Sequence, residues 1–310
     1  MKQITNTIVM IRPVQFRMNE QTAVNNYYQN SAKSSAEDVN IKAQNEFDGF
    51  IDKLKSIGVN VVIIDDKEEN DTPDSIFPNN WVSFHENGDI GLYPMFAVNR
   101  RRERRPEVLD IVENAGFEIK NVVDYTAAEE DDVFLEGTGS LVLDRVNRKA
   151  YCALSPRADE ELLIEFCEDF EYTPVIFTAY QTVKGERLAI YHTNVMMGLG
   201  ETFAVVCVDC IDDKKERKNL LNHLKKDGKE IISITEAQVN NFAGNMLQVI
   251  GADEKRYLVM SSAAYNSLNQ DQISKIKKHC DILHSDLGTI EKLGGGSARC
   301  MMAEVFLPRK

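Results

Sequence analysis

Amphipathic helices alternate with paired strands along the whole chain. The helical period is clearest from Ala43 to Ile57, where Phe47, Phe50, Ile51 and Leu54 share one face and Gly58 supplies a stop. The same spacing predicts helices over Pro106 to Ala115, Ala158 to Phe170, Asp212 to Asp227 and Ala263 to His279. Short apolar runs such as Val61 to Ile64, Val175 to Phe177 and Glu230 to Ile234 follow them and predict strands. Polar loops then lead into hairpins: Trp81 to Phe84 with Ile90 to Tyr93, Gly139 to Leu143 with Ala150 to Leu154, Asn194 to Met197 with Phe203 to Cys207, and Met246 to Ile250 with Tyr257 to Met260. The residues entering these hairpins (Asn80, Thr138, Asn194, Asn245) recur at intervals of roughly fifty to sixty residues, as in an array of equivalent units.

Two strand-like segments lack a hairpin partner, Thr7 to Ile11 and Met301 to Leu307. Joining them makes a fifth unit and closes a ring, which disposes of exposed edges. The expectation is one α/β domain over residues 1–310, with the polar loops of all units converging on a single mouth.

Composition narrows the class. Hydrophobic content of 43% and charged content of 27% are those of a soluble globular chain, and no stretch approaches a membrane span. Met1 to Asn6 lacks a signal-peptide core, and six scattered cysteines make no disulfide scaffold, so reduced thiols in a cytoplasm are expected. A net charge of −13 argues against nucleic acid or an anionic membrane as main partner. One basic cluster dissents, Arg100, Arg101, Arg102, Arg104 and Arg105 around Glu103, which reads as a solvated face or a hold on a small anion. Cys207 and Cys210 have no second pair to complete a zinc site and read as core thiols, while His85, His223 and His279 read as solvated. The segment Gln15 to Tyr28 is within reach of the mouth and Ser31 to Asp38 looks polar and flexible, neither with a motif; self-association stays open.

The loops at the predicted mouth carry the chemistry. They read Phe77-Pro78-Asn79-Asn80, Phe134-Leu135-Glu136-Gly137-Thr138-Gly139, Tyr191-His192-Thr193-Asn194, Asn241-Phe242-Ala243-Gly244-Asn245 and Gly294-Gly295-Gly296-Ser297-Ala298-Arg299-Cys300. Singly, Cys300 reads equally as a small core residue, Glu136 as a turn carboxylate and His192 as a hydrogen-bonded core histidine. At equivalent positions of one array they are the parts of a nucleophile with acid–base partners.

The three motifs, in this order, resemble the guanidino-group-modifying (pentein) superfamily of arginine deiminases, dimethylarginine dimethylaminohydrolases and amidinotransferases. The resemblance spans nearly the whole chain and implies a five-bladed pseudo-symmetric α/β propeller. It implies Cys300 as nucleophile, His192 as general acid and base, and Glu136 gripping the substrate nitrogens, with no cofactor or metal. The segment Pro94 to Arg101 resembles the one whose first arginine holds the substrate α-carboxylate, which falls on Arg100; Ala153 to Arg157 resembles the source of a second, Arg157.

Two departures bear on the substrate. Arginine deiminases carry Asp where this chain has Asn80 and Asn194, with Asp74 nearby as a substitute carboxylate. Carboxylates suit a cationic guanidinium, whereas an amide offers both a donor and an acceptor and suits a neutral ureido group. The expected reaction is citrulline to ornithine, ammonia and carbon dioxide, with Cys300 ionised by His192 and the N–H-rich loop. The alternatives are arginine deiminase or dimethylarginine-type hydrolysis, then amidino transfer, then a non-enzymatic binding member of the fold.

Overall fold

A hairpin followed by a parallel strand is the repeating unit of the protein, whose computed structural model describes residues 2–30 and 35–310. The chain starts with β1 (Thr7–Arg12), crosses through α1 (Ala36–Ser56) and returns as β2 (Asn60–Asp65), parallel to β1. Next come the hairpin β3 (Val82–Phe84) and β4 (Asp89–Leu92), the helix α2 (Pro106–Asn114) and β5 (Asn121–Asp124), parallel to β4. A single turn, α3 (Gly137–Ser140), opens the next unit of β6 (Leu141–Asp144), β7 (Lys149–Leu154), α4 (Glu160–Asp169) and β8 (Thr173–Thr178). A small ladder of β9 (Tyr180–Val183) and β10 (Glu186–Ala189) precedes β11 (Met197–Leu199), β12 (Phe203–Val206), α5 (Lys214–Lys226) and β13 (Glu230–Ser233). The short α6 (Glu236–Val239) leads to β14 (Leu247–Ile250), β15 (Arg256–Ser261), α7 (Ser262–Ser267), α8 (Gln270–Lys277) and β16 (Asp281–Ser285). Last are α9 (Gly288–Gly294) and β17 (Ala303–Glu304), which lies antiparallel to β1.

Among the described residues, five three-stranded sheets share this antiparallel-then-parallel order, and the two unpartnered ends of the chain meet in one of them. The sheets remain separate. Among the described residues no strand ladder links one sheet to the next, so the expected ring is not closed by strand pairing; β17 lies beside β3, β6 beside β11 and β11 beside β14.

Several boundaries differ from the periodicity for local reasons. Helix α1 starts earlier because Ser35 caps it, accepting from the Asp38 N–H; of the polar stretch Ser31 to Asp38, residues 31–34 lie outside the described residues. The single helix predicted over Ala263 to His279 is two, because Asn269 and Gln272 form a capping box that starts α8 afresh. The strand predicted from Met301 shrinks to Ala303–Glu304, since Cys300, Met301 and Met302 are turned back onto Ser297, Ala298 and Arg299.

The histidines need correction too. His85 is buried, bonded to Ser83 Oγ at 2.7 Å and stacked on Phe170. His279 is half-buried between Thr202 and Glu230, and His223 is also half-buried. Cys207 and Cys210 sit in the core with sulfurs 2.9 Å apart. The arginine cluster is no solvated patch: Arg100 and Arg105 are buried, Arg101 and Arg104 pair with Glu129, and Arg102 pairs with Asp71. No helix among the described residues is long and apolar enough to cross a membrane.

Candidate active site

Five turns enter the first strand of the five sheets from the same end. They are the turns at Pro78–Asn80 before β3, Gly137–Ser140 before β6, Thr193–Val195 before β11, the Asn245 turn before β14 and the Ser297 to Met302 turn before β17. Beside these turns lies a small cavity lined by Asp74, Asn80, Arg100, Arg157, His192 and Cys300, among others.

Cys300 is buried, and its sulfur meets two amides: Asn245 Nδ2 donates to it at 3.1 Å, and Asn194 Oδ1 lies 3.7 Å away. Burial pushes the thiol pKa up, opposed by the Ser297 turn and by the Asn245 amide. His192 is equally buried, and burial lowers its pKa to about 4 against the pull of Glu136. The resting pair is therefore a thiol and a neutral imidazole. Burial works against the ionised Cys300 expected from the sequence, since a dry pocket penalises both charges.

Glu136 is fully buried. Its Oε2 sits 2.7 Å from His192 Nε2 and 3.4 Å from Arg157 Nη1, and its Oε1 accepts from the Phe96 N–H at 3.0 Å. Burial would raise its pKa, but Arg157, the His192 hydrogen bond and Arg100 hold it well below the usual carboxylate range. An ionised Glu136 fixes the His192 tautomer: Nε2 carries the proton and Nδ1 keeps the lone pair. Both Glu136 oxygens accept from the protein, Oε2 beside the imidazole and Oε1 at the Phe96 N–H. Gly139 makes room for this arrangement. A Cβ there would lie 2.8 Å from His192 Nδ1 and 2.4 Å from Asn80 Nδ2.

The two expected carboxylate anchors differ. Arg100 gives Nε and Nη2 to the two oxygens of Glu103, both at 2.9 Å, and Nη1 to Asn80 Oδ1 at 2.9 Å, so its fork is spent inside the protein. Its role here is to hold the Asn80 amide. Arg157 bonds to Asn25 Oδ1 and the Thr22 carbonyl, lies over the Tyr191 ring, and keeps only a longer contact to Glu136. Asp74 is tied through Oδ2 to Asn19 and Thr22, while Oδ1 is buried with no partner. Burial raises its pKa against Arg100 and these hydrogen bonds.

Three contributions had no motif to announce them. Residues 19–30 strap the site: Asn19, Thr22 and Asn25 hold Asp74 and Arg157, and Asn26 donates to the Gly294 and Gly295 carbonyls. Gly295 has φ +63, and a Cβ there would strike Asn26 at 2.5 Å, which explains part of the triple glycine. Tyr191 also closes onto the Gly295 carbonyl. Asn245 was legible only as the fourth member of the Asn80, Thr138, Asn194 series. Uncharged amides crowded into Asn19 to Asn26 were the available signal for the strap.

Residues 12–307 match the protein family described as N,N dimethylarginine dimethylhydrolase, eukaryotic. No curated protein matches the chain. Among solved structures, ArgZ, an arginine dihydrolase from the ornithine-ammonia cycle in cyanobacteria, aligns with TM-score 0.75 at 17% identity over 98% of this chain. This chain spans 41% of the length of that ArgZ. The N-terminal domain of ArgZ bound to substrate aligns at TM-score 0.72 and 16% identity, covering 97% of this chain and 99% of that one. A dimethylarginine dimethylaminohydrolase variant carrying an S-methyl-L-thiocitrulline adduct aligns at TM-score 0.64 and 14% identity, over 97% of this chain and 99% of its own. The shared feature at these identities is the α/β fold.

Proposed function

Since the chain belongs to the N,N dimethylarginine dimethylhydrolase family of the eukaryotic type, within the guanidino-modifying pentein superfamily, we propose that it is a cysteine-dependent hydrolase of a C–N bond in a ureido or guanidino amino acid. Citrulline is the substrate we favour. The observation that carries this is a pair of amides around the sulfur: Asn80 lines the cavity, held by Arg100, and Asn194 Oδ1 lies 3.7 Å from the Cys300 sulfur while its Nδ2 donates to the Thr138 carbonyl. A ureido carbonyl needs a donor and its nitrogens need acceptors, and one Asn side chain offers both.

In this reading Cys300 passes its proton to His192 as the sulfur attacks the ureido carbon, so charge appears only along the reaction path. His192 Nδ1 then protonates the ornithine nitrogen as its C–N bond breaks, water activated by the same atom releases the carbamoyl carbon from sulfur as carbamate, and carbamate breaks down to ammonia and carbon dioxide. The overall balance is citrulline plus water to ornithine, ammonia and carbon dioxide. Arg157 takes the substrate α-carboxylate, and Asp74 Oδ1 accepts a substrate N–H. The same reading treats residues 1–310 as one domain of five propeller-like units working in a reducing cytoplasm, where its six cysteines stay free.

A second reading is arginine dihydrolysis or dimethylarginine hydrolysis. The unpartnered Asp74 Oδ1 favours it, because a buried carboxylate oxygen attracts a guanidinium, and the family is described for dimethylarginine. Incubation with citrulline, arginine and methylated arginines, with products identified, separates the readings. Ornithine from citrulline supports the first. Citrulline accumulating from arginine without onward hydrolysis defeats it.

A further inference from the structure

Arg145 is the one charged side chain in its neighbourhood that the fold leaves without a counter-charge. It is 4% exposed, its guanidinium lies 4.0 Å over the Phe306 ring, and no side chain or carbonyl among the described residues accepts from it. Its nitrogens face the cavity rather than a protein acceptor, so five N–H donors are left for an acceptor that enters from solvent. Arg145 lines an open cavity of about 210 Å³ together with His85, Arg148, Glu86 and Glu171, and it also borders a narrower space between the inner strands.

The charges around it sharpen the case. Arg148 is matched: it stacks on Tyr172, bonds to the Phe170 and Glu171 carbonyls and reaches the Glu171 carboxylate, which is largely in solvent. Arg145 is not. Both arginines bear on buried His85, whose pKa is lowered well below normal, first by burial and then by their charge. With one face of the Arg145 fork covered by Phe306, a ligand reaches it edge-on, the geometry of a two-pronged bond to an oxyanion.

The location is separate from the catalytic mouth. Strand β6 runs from the turn at Ser140 to Asp144, so Arg145 leaves it about 13 Å from the site end. His85 leaves β3 in the same way. We propose that this cavity, at the far end of the strands that carry the catalytic turns, is a binding site for a small oxyanion, a carboxylate or a phosphate group, with Arg145 as its anchor. The proposal does not depend on the substrate assigned above.

The test titrates the wild-type protein with inorganic phosphate and, in a second arm, with acetate, against chloride at matched ionic strength. Melting temperature and calorimetric affinity are the readouts. At least one oxyanion is expected to raise the melting temperature by a few degrees beyond chloride. The stronger arm tells a phosphorylated ligand from a carboxylate. Arg145→Met should melt no lower than wild type without oxyanion, because it removes an unmatched buried charge, and should bind the oxyanion at least tenfold more weakly. Arg145→Lys keeps the charge and loses the fork, and a severalfold loss is expected, which serves if the Met variant does not fold. Equal oxyanion affinity in wild type and both variants, or a wild-type response no larger than that to chloride, overturns the proposal.

Discussion

Asn245 holds Cys300 from two sides at once: its Nδ2 donates to the sulfur at 3.1 Å, and its Oδ1 accepts from the Cys300 N–H at 3.3 Å. A second N–H, that of Arg299, shares the same oxygen at 3.0 Å. One amide thus fixes the backbone that delivers the thiol and supplies the hydrogen bond that a thiolate would need. Asn245→Ala is expected to lower kcat by about ten- to a hundredfold, the worth of a hydrogen bond to a charged group. The alkaline limb of the thiol's alkylation by iodoacetamide should move to higher pH, and an unmoved limb would make Asn245 merely structural.

Burial of Cys300 and His192 sets how this proposed catalytic pair responds to pH. The thiol lies above its ordinary value and the imidazole at about 4, both through burial. Alkylation of Cys300 should therefore rise steadily from pH 6 to pH 10 without a neutral plateau. A plateau between pH 5 and 8 would indicate a preformed thiolate–imidazolium pair instead.

Glu136 balances two buried arginines and one histidine. Glu136→Gln leaves Arg157 without its carboxylate and should cost about 3–5 kcal/mol of stability, as broken buried pairs do. Calorimetric or denaturant unfolding checks this. Activity should fall further than stability alone explains, since the His192 tautomer is no longer fixed.

The amides can be challenged directly. Asn194→Asp places a carboxylate 3.7 Å from the sulfur, where Asn Oδ1 now lies. The ratio of kcat/KM for citrulline to that for arginine should drop about tenfold or more, following the roughly 1–3 kcal/mol cost of an unpaired buried polar group. A ratio that does not change would remove the ureido argument.

Glu291 couples stability to pH at the loop that carries Cys300. It accepts from Ser297 Oγ at 2.6 Å, and burial raises its pKa to about 7 against the Ser261 and Ser297 hydrogen bonds. The folded state holds this proton more tightly than the unfolded chain. Its contribution is therefore full below about pH 4.5 and is lost as pH rises through about 7. Glu291→Gln should flatten that part of the stability curve, so that the variant gains on wild type by a few kcal/mol above pH 7 in urea unfolding.

How much of this was legible in the sequence depends on the range of the interaction. Hydrophobic period, glycine stops and turn residues are local, and they placed the helices α2, α4 and α5 to within a few residues. Capping by Asn269 is local as well, yet the continuous apolar period masked it. His85 beside a polar hairpin turn looked solvated, because nothing nearby in the chain announces that Phe170 will cover it.

The sequence by itself determined the recurring unit, the order of the three motifs and the amides in place of carboxylates, since each is written in neighbouring residues. Only the tertiary structure decided which polar groups meet: Arg100 with Glu103, Glu136 with His192, and Arg157 with Asn25. Partners separated by 56 or 132 positions meet only after the chain has closed, and burial then raises or lowers each proton affinity. Local pattern can name the groups at a dry cavity; the folded geometry decides whether each is charged, matched or left open for a ligand.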